Sequence, residues 1–363
     1  MENKEKKSLE ILSRLEKERR LDEEEYLFLI ENRNGRFAKL LAERARAARE
    51  RVYGKEVFVR ALIEISNICK NDCLYCGIRK SNGEVNRYRL TEEEIIALVK
   101  EGASLGFNTF VLQGGEDGYY TDEKLVALIK EIKKIAPKSA LTLSLGERQK
   151  ESYEKLFEAG ADRYLLRHES INPCHYESLH PENMSHERRL EALKNLKEIG
   201  YQVGSGFMVG SPGQTLRDLA KEMKFIEEFK PDMCGIGPFI PHHATPFKDE
   251  GAGSVELTCY LISIMRLIDP ELLIPATTAL GSLEEGGRER GIVAGANVVM
   301  PNLSPKQKRA DYEIYDNKLS LGAESAEMLD LLKNKIKNIG YEVVMSRGDN
   351  PKFSKAKPEM LGN

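Results

Sequence analysis

Val57-Phe58-Val59-Arg60-Ala61-Leu62-Ile63-Glu64-Ile65 runs straight into Ser66-Asn67-Ile68-Cys69-Lys70-Asn71-Asp72-Cys73-Leu74-Tyr75-Cys76-Gly77. The first segment is apolar and rich in branched side chains, the composition of a strand buried on both faces of a parallel sheet. The second is a loop with three cysteines at C-x3-C-x2-C spacing. Soft thiolates select iron–sulfur clusters or zinc over hard cations. Three thiolates on one short loop hold three corners of a cubane cluster. The fourth iron is then open to a substrate or cofactor, which a four-cysteine electron carrier does not allow.

Two other uses of cysteine fit less well. A structural zinc site needs a fourth ligand and usually pairs two C-x2-C hooks, whereas Cys174, Cys234 and Cys259 are scattered singly. A disulfide framework belongs to short secreted chains, and these 363 residues show no signal-peptide pattern. The six cysteines therefore point to a reducing cytoplasm. A net charge of −3 gives no sign of a nucleic-acid or anionic-membrane partner, and no apolar run is long enough to span a bilayer.

Outward from the loop, apolar runs alternate with amphipathic segments. Strands are expected at 57–65, 108–113, 140–145, 163–167, 201–209, 232–237, 272–276 and 297–300. Helices are expected at 91–105, 121–135, 148–158, 185–199, 215–228, 254–268 and 284–293, with a capping box at Thr91-Glu92-Glu93-Glu94 and stops at Gly160 and Gly200. Eight strands with helices between them indicate an α/β chain folded as a complete (β/α)8 TIM barrel, with function at the strand C-terminal ends. Residues 1–50 read as an N-terminal helical extension, 51–310 as the barrel and 311–363 as a C-terminal extension with a helix at 323–338 and a strand at 341–345. The charged run Glu43–Arg51 reads as a solvated helix face.

Most polar motifs fall at expected strand ends. In Gln113-Gly114-Gly115-Glu116, glycines allow close backbone approach, although such a tripeptide is commonly just a turn. Thr142 and Ser144 share one strand face. Glu169, in Arg167-His168-Glu169, suits the two hydroxyls of a ribose, or a rim ion pair with Arg167. Arg188 suits a carboxylate, or an ordinary solvated turn beside Glu187 and Arg189. Gly204–Thr215 is glycine-rich but lacks the Gly-Lys-Ser/Thr ending of a phosphate loop. His242 and His243, as neighbours in an extended segment, are expected to point opposite ways, which disfavours a shared metal ion.

The cysteine loop, placed after the first strand and followed by Gly-Gly-Glu one strand later, resembles the radical S-adenosylmethionine (SAM) superfamily. Five further strings narrow the likeness: Arg167-His168-Glu169, Gly206–Thr215, Gly235–Pro241, Ile274–Ala279 and Gly295–Asn302. From about residue 50 to 345 the chain is similar to the HydE family, the radical SAM maturases of FeFe-hydrogenase. That resemblance implies one 4Fe-4S cluster on Cys69, Cys73 and Cys76 whose open iron chelates SAM, and one-electron cleavage of SAM to a 5′-deoxyadenosyl radical. It implies SAM contacts at Tyr75, Gly115, Glu116, Ser144, Glu169 and Arg188. It implies a barrel cavity lined by Arg60, Thr142, Arg163, Met233, Thr277, Thr278, Met300 and Tyr312. The implied substrate is a small organometallic species, a cysteine-bound iron carbonyl cyanide complex whose sulfur the radical attacks during assembly of the H-cluster diiron site. Implied partners are an electron donor such as ferredoxin or flavodoxin and other hydrogenase maturases.

A buried arginine demands an anion, which a substrate carboxylate would supply to Arg60 and Arg163; the alternative is that they fill barrel layers beside Glu64 or Asp162. The chain departs from the family in two places. It has no cysteine after Cys259, so no second cluster is expected, and Gly114 stands where relatives often have serine. A methylornithine synthase-like mutase, a biotin synthase-like enzyme and a non-catalytic cluster scaffold are the competing readings.

Overall fold

A computed structural model describes residues 2–356, so the last seven residues of the expected C-terminal extension, 357–363, lie outside the described residues. The opening segment forms β1 (Glu56–Val59) and β2 (Ala61–Ser66), one line of strand interrupted at Arg60 and buried almost throughout. Five further strands join β2 in a parallel six-stranded sheet. These are β3 (Thr109–Gly114), β4 (Ala140–Ser144), β5 (Arg163–Leu165), β6 (Gln202–Ser205) and, after the short β7 (Met208–Val209), β8 (Met233–Cys234). The order is β2-β3-β4-β5-β6-β8. β7 pairs only with β9 (Gly237–Pro238).

Pairing continues past β8. Single parallel bridges join Met233 to Leu273 and Pro275 to Val298. β10 (Val298–Val299) pairs with β1, and so does β11 (Glu342–Val344), both in parallel. The expected strand at 272–276 is thus present only as bridges. The expected strand at 201–209 is broken at Gly206-Phe207, where the backbone turns to meet Glu169.

Between the strands lie the expected helices. Upstream are α1 (Glu2–Glu18), α2 (Glu23–Glu31) and α3 (Gly35–Tyr53). Then come α4 (Glu92–Ser104), α5 (Asp122–Ile135), α6 (Lys150–Glu158), α7 (Pro173–Leu179), α8 (His186–Ile199), α9 (Leu216–Phe229), α10 (Val255–Ile268), α11 (Thr278–Leu283) and α12 (Gly287–Val293). The Thr91 capping box forms as expected, and α8 ends at Gly200 with φ 106°. On α5, Leu125, Leu128, Ile129 and Ile132 line one stripe and are buried against the sheet, each contributing roughly 1.5–3 kcal/mol. Two short helices, α7 and α11, were not expected from periodicity. Each spans about two turns or less, too few for an amphipathic repeat, although Asn172 as N-cap and Pro173 at the first turn mark α7.

The N-terminal helices pack outside α9 and α10. Glu227 of α9 accepts from Leu21 N and from Tyr26 Oη, and Tyr260 of α10 donates to Leu29 O. The Glu43–Arg51 run is not wholly solvated: Ala45, Ala48 and Arg49 are buried. Alanines permit close approach to α10, and the Arg49 guanidinium caps Glu56 O and lies 4.1 Å from the Tyr341 ring centroid. After the short α13 (Lys306–Arg309), the helix expected at 323–338 is α14 (Leu329–Asn338), shorter than expected because 3-10 turns occupy Gly322–Glu324 and Ala326–Met328, and a last short helix, α15 (Pro351–Ala356), follows β11.

After β11 the chain crosses the N-terminal ends of the strands. Asp349 Oδ1 meets Arg163 Nη2 at 2.5 Å and Gln202 Nε2 at 2.6 Å, and Asp349 Oδ2 meets Arg347 Nε at 2.8 Å. Asn350 donates to Asp232 O and Glu271 O. Burial pushes the Asp349 carboxyl up, but Arg163 and Arg347 outweigh it and hold the group well below the usual carboxylate range. Its stabilising contribution is therefore complete above about pH 4, the ordinary unfolded value, and is lost as pH falls below it. Asp349→Asn is expected to lower the free energy of unfolding in urea at pH 7 by about 3 kcal/mol, since it strips a buried cation of its partner. The gap from wild type is expected to narrow as pH drops below about 4; a gap independent of pH would contradict this role.

Candidate active site

The three cysteines lie half-buried on the loop that follows β2, at the C-terminal edge of the sheet. That loop is stapled rather than free. The Arg87 guanidinium donates to four of its carbonyls, Asn67, Ile78, Arg79 and Asn82, at 2.6–3.0 Å. Asn67 Oδ1 accepts from Tyr88 N, Asn82 Nδ2 donates to Gly77 O, and Arg79 pairs with Asp72 at 2.8 Å. Lys70 N donates to Glu116 O, Leu74 N to Leu179 O and Gly77 N to Ile314 O, so three neighbouring loops share in fixing it. No cysteine is in a disulfide. Burial raises all three thiol pKa values, that of Cys76 to about 12, and repulsion from the other two thiolates adds to the rise at Cys73. Thiols so placed ionise when a cationic metal centre offsets their charge.

The Gly-Gly-Glu turn docks directly on this loop. A Cβ on Gly115 would lie 2.3 Å from Ile68 O and 2.8 Å from Cys69 Cβ, so only glycine permits the contact. Glu116 N lies 3.4 Å from Cys69 Sγ. Both Glu116 carboxylate oxygens are engaged, Oε1 by Glu147 N at 3.0 Å and Oε2 by Lys70 Nζ at 3.0 Å. Ser144 ends β4 beside Gln113, half-buried. Tyr75 Oη donates to His180 Nε2 at 3.3 Å, because His180 Nδ1 is used in donating to Tyr176 O; burial lowers His180 to about 3 and keeps it neutral.

Glu169 stands apart in two ways. Its backbone is left-handed, φ 64°, which side-chain-bearing residues seldom adopt. Its side chain is buried, and Oε2 has no hydrogen-bond partner although Arg167 Nη2 lies 3.3 Å away. The carboxylate acts electrostatically on Cys73, Tyr75 and Cys76. An under-bonded buried carboxylate beside a thiol loop suits a ligand bearing hydroxyl donors.

Sequence reasoning placed Arg188 at the site. Arg188 is exposed at the start of α8, with Nη2 on Asn183 O at 2.5 Å. The arginine directed inward is its neighbour Arg189, buried, bonded to Glu147 and to Arg167 O, and acting on Cys73 and Tyr75. Two residues were missed altogether. Met184 Sδ lies 3.7 Å from Cys73 Sγ, and Arg87 holds the loop. Neither a lone methionine nor a lone arginine upstream of a helix gives a sequence signal for such a role.

His242 and His243 differ from expectation. Their rings stack, centroids 4.3 Å apart, beside Asp316, because the chain has left the strand at Pro241 and Asp316 N donates back to Pro241 O. His242 Nδ1 accepts from Ala244 N, which leaves the proton on Nε2. His243 Nδ1 pairs with Asp316 Oδ1 at 2.6 Å. The trio straps two loops together through hydrogen bonds.

Of the residues expected to line a cavity, Arg60 meets Met233 and Arg163 meets Thr142. Arg60 and Arg163 are both buried and repel one another, with Asp349 between them in sign. Arg60 Nη1 lies 2.8 Å from Met233 Sδ, and Nη2 3.4 Å from Gly348 O. Arg60 Nε, Arg163 Nε and Thr142 Oγ1 lack hydrogen-bond partners, and Thr142 is the register partner of Arg163. Thr277 precedes α11 with its hydroxyl donating to Ile236 O, and Thr278 begins the helix, both half-buried, as is Met300. Tyr312 is buried, its hydroxyl 3.4 Å from Gln113 Nε2. A separate cavity of about 270 Å³, bounded by Arg288, Glu324, Leu332 and Ile336, lies against α12 and α14 and includes none of these residues.

Residues 63–226 match the model of the Radical SAM superfamily. The FeFe hydrogenase maturase subunit HydE of Thermotoga maritima is 45% identical over 304 residues, 84% of this chain and 86% of that protein. The 3-methylornithine synthase of Methanosarcina acetivorans is 31% identical over 76% of this chain and 77% of its own. Among solved structures, methylornithine synthase (PylB) superposes with TM-score 0.79 at 26% identity, covering 92% of this chain and 97% of that one. The maturase HydG gives TM-score 0.80 at 22% identity, 97% of this chain and 80% of that one, a likeness of fold alone. No described helix is long and apolar enough to cross a membrane. With residues 63–226 matching the superfamily and 45% identity to a HydE over 84% of its length, the chain belongs to the radical SAM superfamily and, within it, to the HydE family of FeFe-hydrogenase maturases.

Proposed function

We propose that this enzyme binds one 4Fe-4S cluster through Cys69, Cys73 and Cys76 and acts in assembly of the FeFe-hydrogenase diiron site. The reading rests chiefly on one observation: three desolvated thiols on a stapled loop face a buried carboxylate, Glu169, with an unused oxygen. When bound, cluster and SAM together supply a 5′-deoxyadenosyl radical. The residues of the chain do the rest. Glu169 accepts from ribose hydroxyls. Gly115 and Ser144 border the amino-acid end, and Glu116 holds their two loops in register. Tyr75, its hydroxyl turned to His180, walls the site. Arg188 exchanges Asn183 O for the SAM carboxylate, and Arg189 keeps the surroundings electropositive.

We read the pairings β1–β10, Pro275–Val298 and Met233–Leu273, added to the six-stranded sheet, as one closed (β/α)8 barrel. Residues 1–50 then form an outer helical extension, 51–310 the barrel, and 311–363 an extension closing it. The interior holds two arginines against one carboxylate, with three unpartnered polar atoms. Such an imbalance favours an anionic guest. The carboxylate of a cysteine-bound iron carbonyl cyanide complex meets it, with Met233, Thr277, Thr278, Met300 and Tyr312 as walls. No second cluster enters this reading. A ferredoxin or flavodoxin supplies electrons in the cytoplasm, and other maturases deliver and receive the iron species.

Two outcomes test it. Cys69→Ala, Cys73→Ala and Cys76→Ala are each expected to reduce bound iron from about four atoms per chain to under about one, whereas Cys174→Ala and Cys259→Ala retain it; a triple variant that keeps its cluster refutes the ligand set. The chain is also expected to restore FeFe-hydrogenase activity to a host lacking its own HydE and to release 5′-deoxyadenosine on reduction. Turnover of SAM with formation of methylornithine and no restored hydrogenase would favour the mutase reading instead.

A further inference from the structure

The turn that carries Glu169 is held from outside the site. Glu222, on α9, is a fully buried carboxylate far along the chain from the cysteines. Its Oε2 lies 2.5 Å from His168 Nε2, and its Oε1 accepts from Ile171 N at 2.7 Å. The two contacts bracket Glu169 on either side. One helical turn earlier, Asp218 Oδ1 accepts from Asn172 Nδ2 at 2.7 Å, so α9 grips the 168–172 segment at two points. His168 Nδ1 is bonded in turn to Ser205 Oγ at 2.8 Å, which ties the segment to the end of β6. Glu169 N donates to Gly206 O at 3.1 Å.

A carboxylate with no exposure is costly unless its bonds serve something. Here they fall on His168, immediately before the left-handed residue of the site, and on Ile171, two places after it. A backbone at φ 64° relaxes toward common regions unless both flanks are fixed. We infer that Glu222, acting through His168 and the Ile171 amide, is a positioning residue that holds Glu169 in its left-handed turn and so aims its carboxylate at the ribose of SAM. The inference rests on the proposal that Glu169 contacts that ribose.

The test compares SAM with 2′-deoxy-SAM binding to the reconstituted cluster-loaded protein, by equilibrium dialysis. Wild type is expected to prefer SAM by about tenfold, the worth of a hydrogen bond to a charged group. Glu169→Gln is expected to abolish that preference. If Glu169→Gln keeps it, the ribose reading fails, whatever Glu222 does. Glu222→Gln is expected to lose most of the preference while holding a full complement of iron, and to add nothing when combined with Glu169→Gln. A ratio of affinities does not depend on the fraction of folded protein, so a merely structural role for Glu222 would leave it unchanged. Should Glu222→Gln fail to fold, Ser205→Ala, which removes only the second partner of His168, is expected to lower the preference by a smaller factor. Full preference in a folded Glu222→Gln or Ser205→Ala protein, with Glu169→Gln defective, would overturn the inference.

Discussion

Three thiols crowded on one desolvated loop are the constraint on which the rest depends. Left to themselves they resist ionisation, since burial and mutual repulsion both oppose it. Nearby cations offset that cost only in part: Arg189 acts on Cys73, and Arg87, which acts on Cys69 and Cys76, spends its donors chiefly on carbonyls of the loop. The loop is thus rigid and electrostatically unsatisfied at once, which is the condition of a preorganised metal site. Gly115 closes against it and the Glu116 carboxylate bridges to the next loop, so the cysteine loop and two neighbouring loops are tied together.

The same logic recurs deeper in the molecule. Arg60, at the break between β1 and β2, and Arg163, on β5, are both buried, and the C-terminal segment brings Asp349 to only one of them directly. Polar atoms are left without partners at Glu169, beside the thiol loop, and at Arg60, Thr142 and Arg163. Stable cores avoid such atoms, and sites that bind polar guests collect them. Among the described residues, one of the four non-glycine positions in left-handed backbone, Glu169, lies beside the thiol loop.

How much of this was legible in the sequence depends on how local the signal is. The capped helices and the branched first strand with its cysteine loop beyond it are local signals, and these elements form where the residues place them. The side of α8 that faces inward is not. Arg188 and Arg189 differ by one step of about 100° around the helix, and only packing of His186, Ala192 and Leu193 fixes which points in. The same holds for His242 and His243, whose divergence assumed an extended backbone that Pro241 ends. The Arg163–Asp349 pair spans 186 residues, beyond any periodicity. Short elements such as α11 and the bridge-only strand near Leu273 are set by their neighbours, not by their own composition.

The central claim is that these thiols carry a single cluster with one iron open to SAM. The most direct measurement is the electron paramagnetic resonance spectrum of the reduced, anaerobically reconstituted protein, recorded before and after adding SAM. The account predicts one S = 1/2 cluster signal whose g values shift on SAM addition and show coupling to 17O placed in the SAM carboxylate. A signal unmoved by SAM, without that coupling, would contradict it.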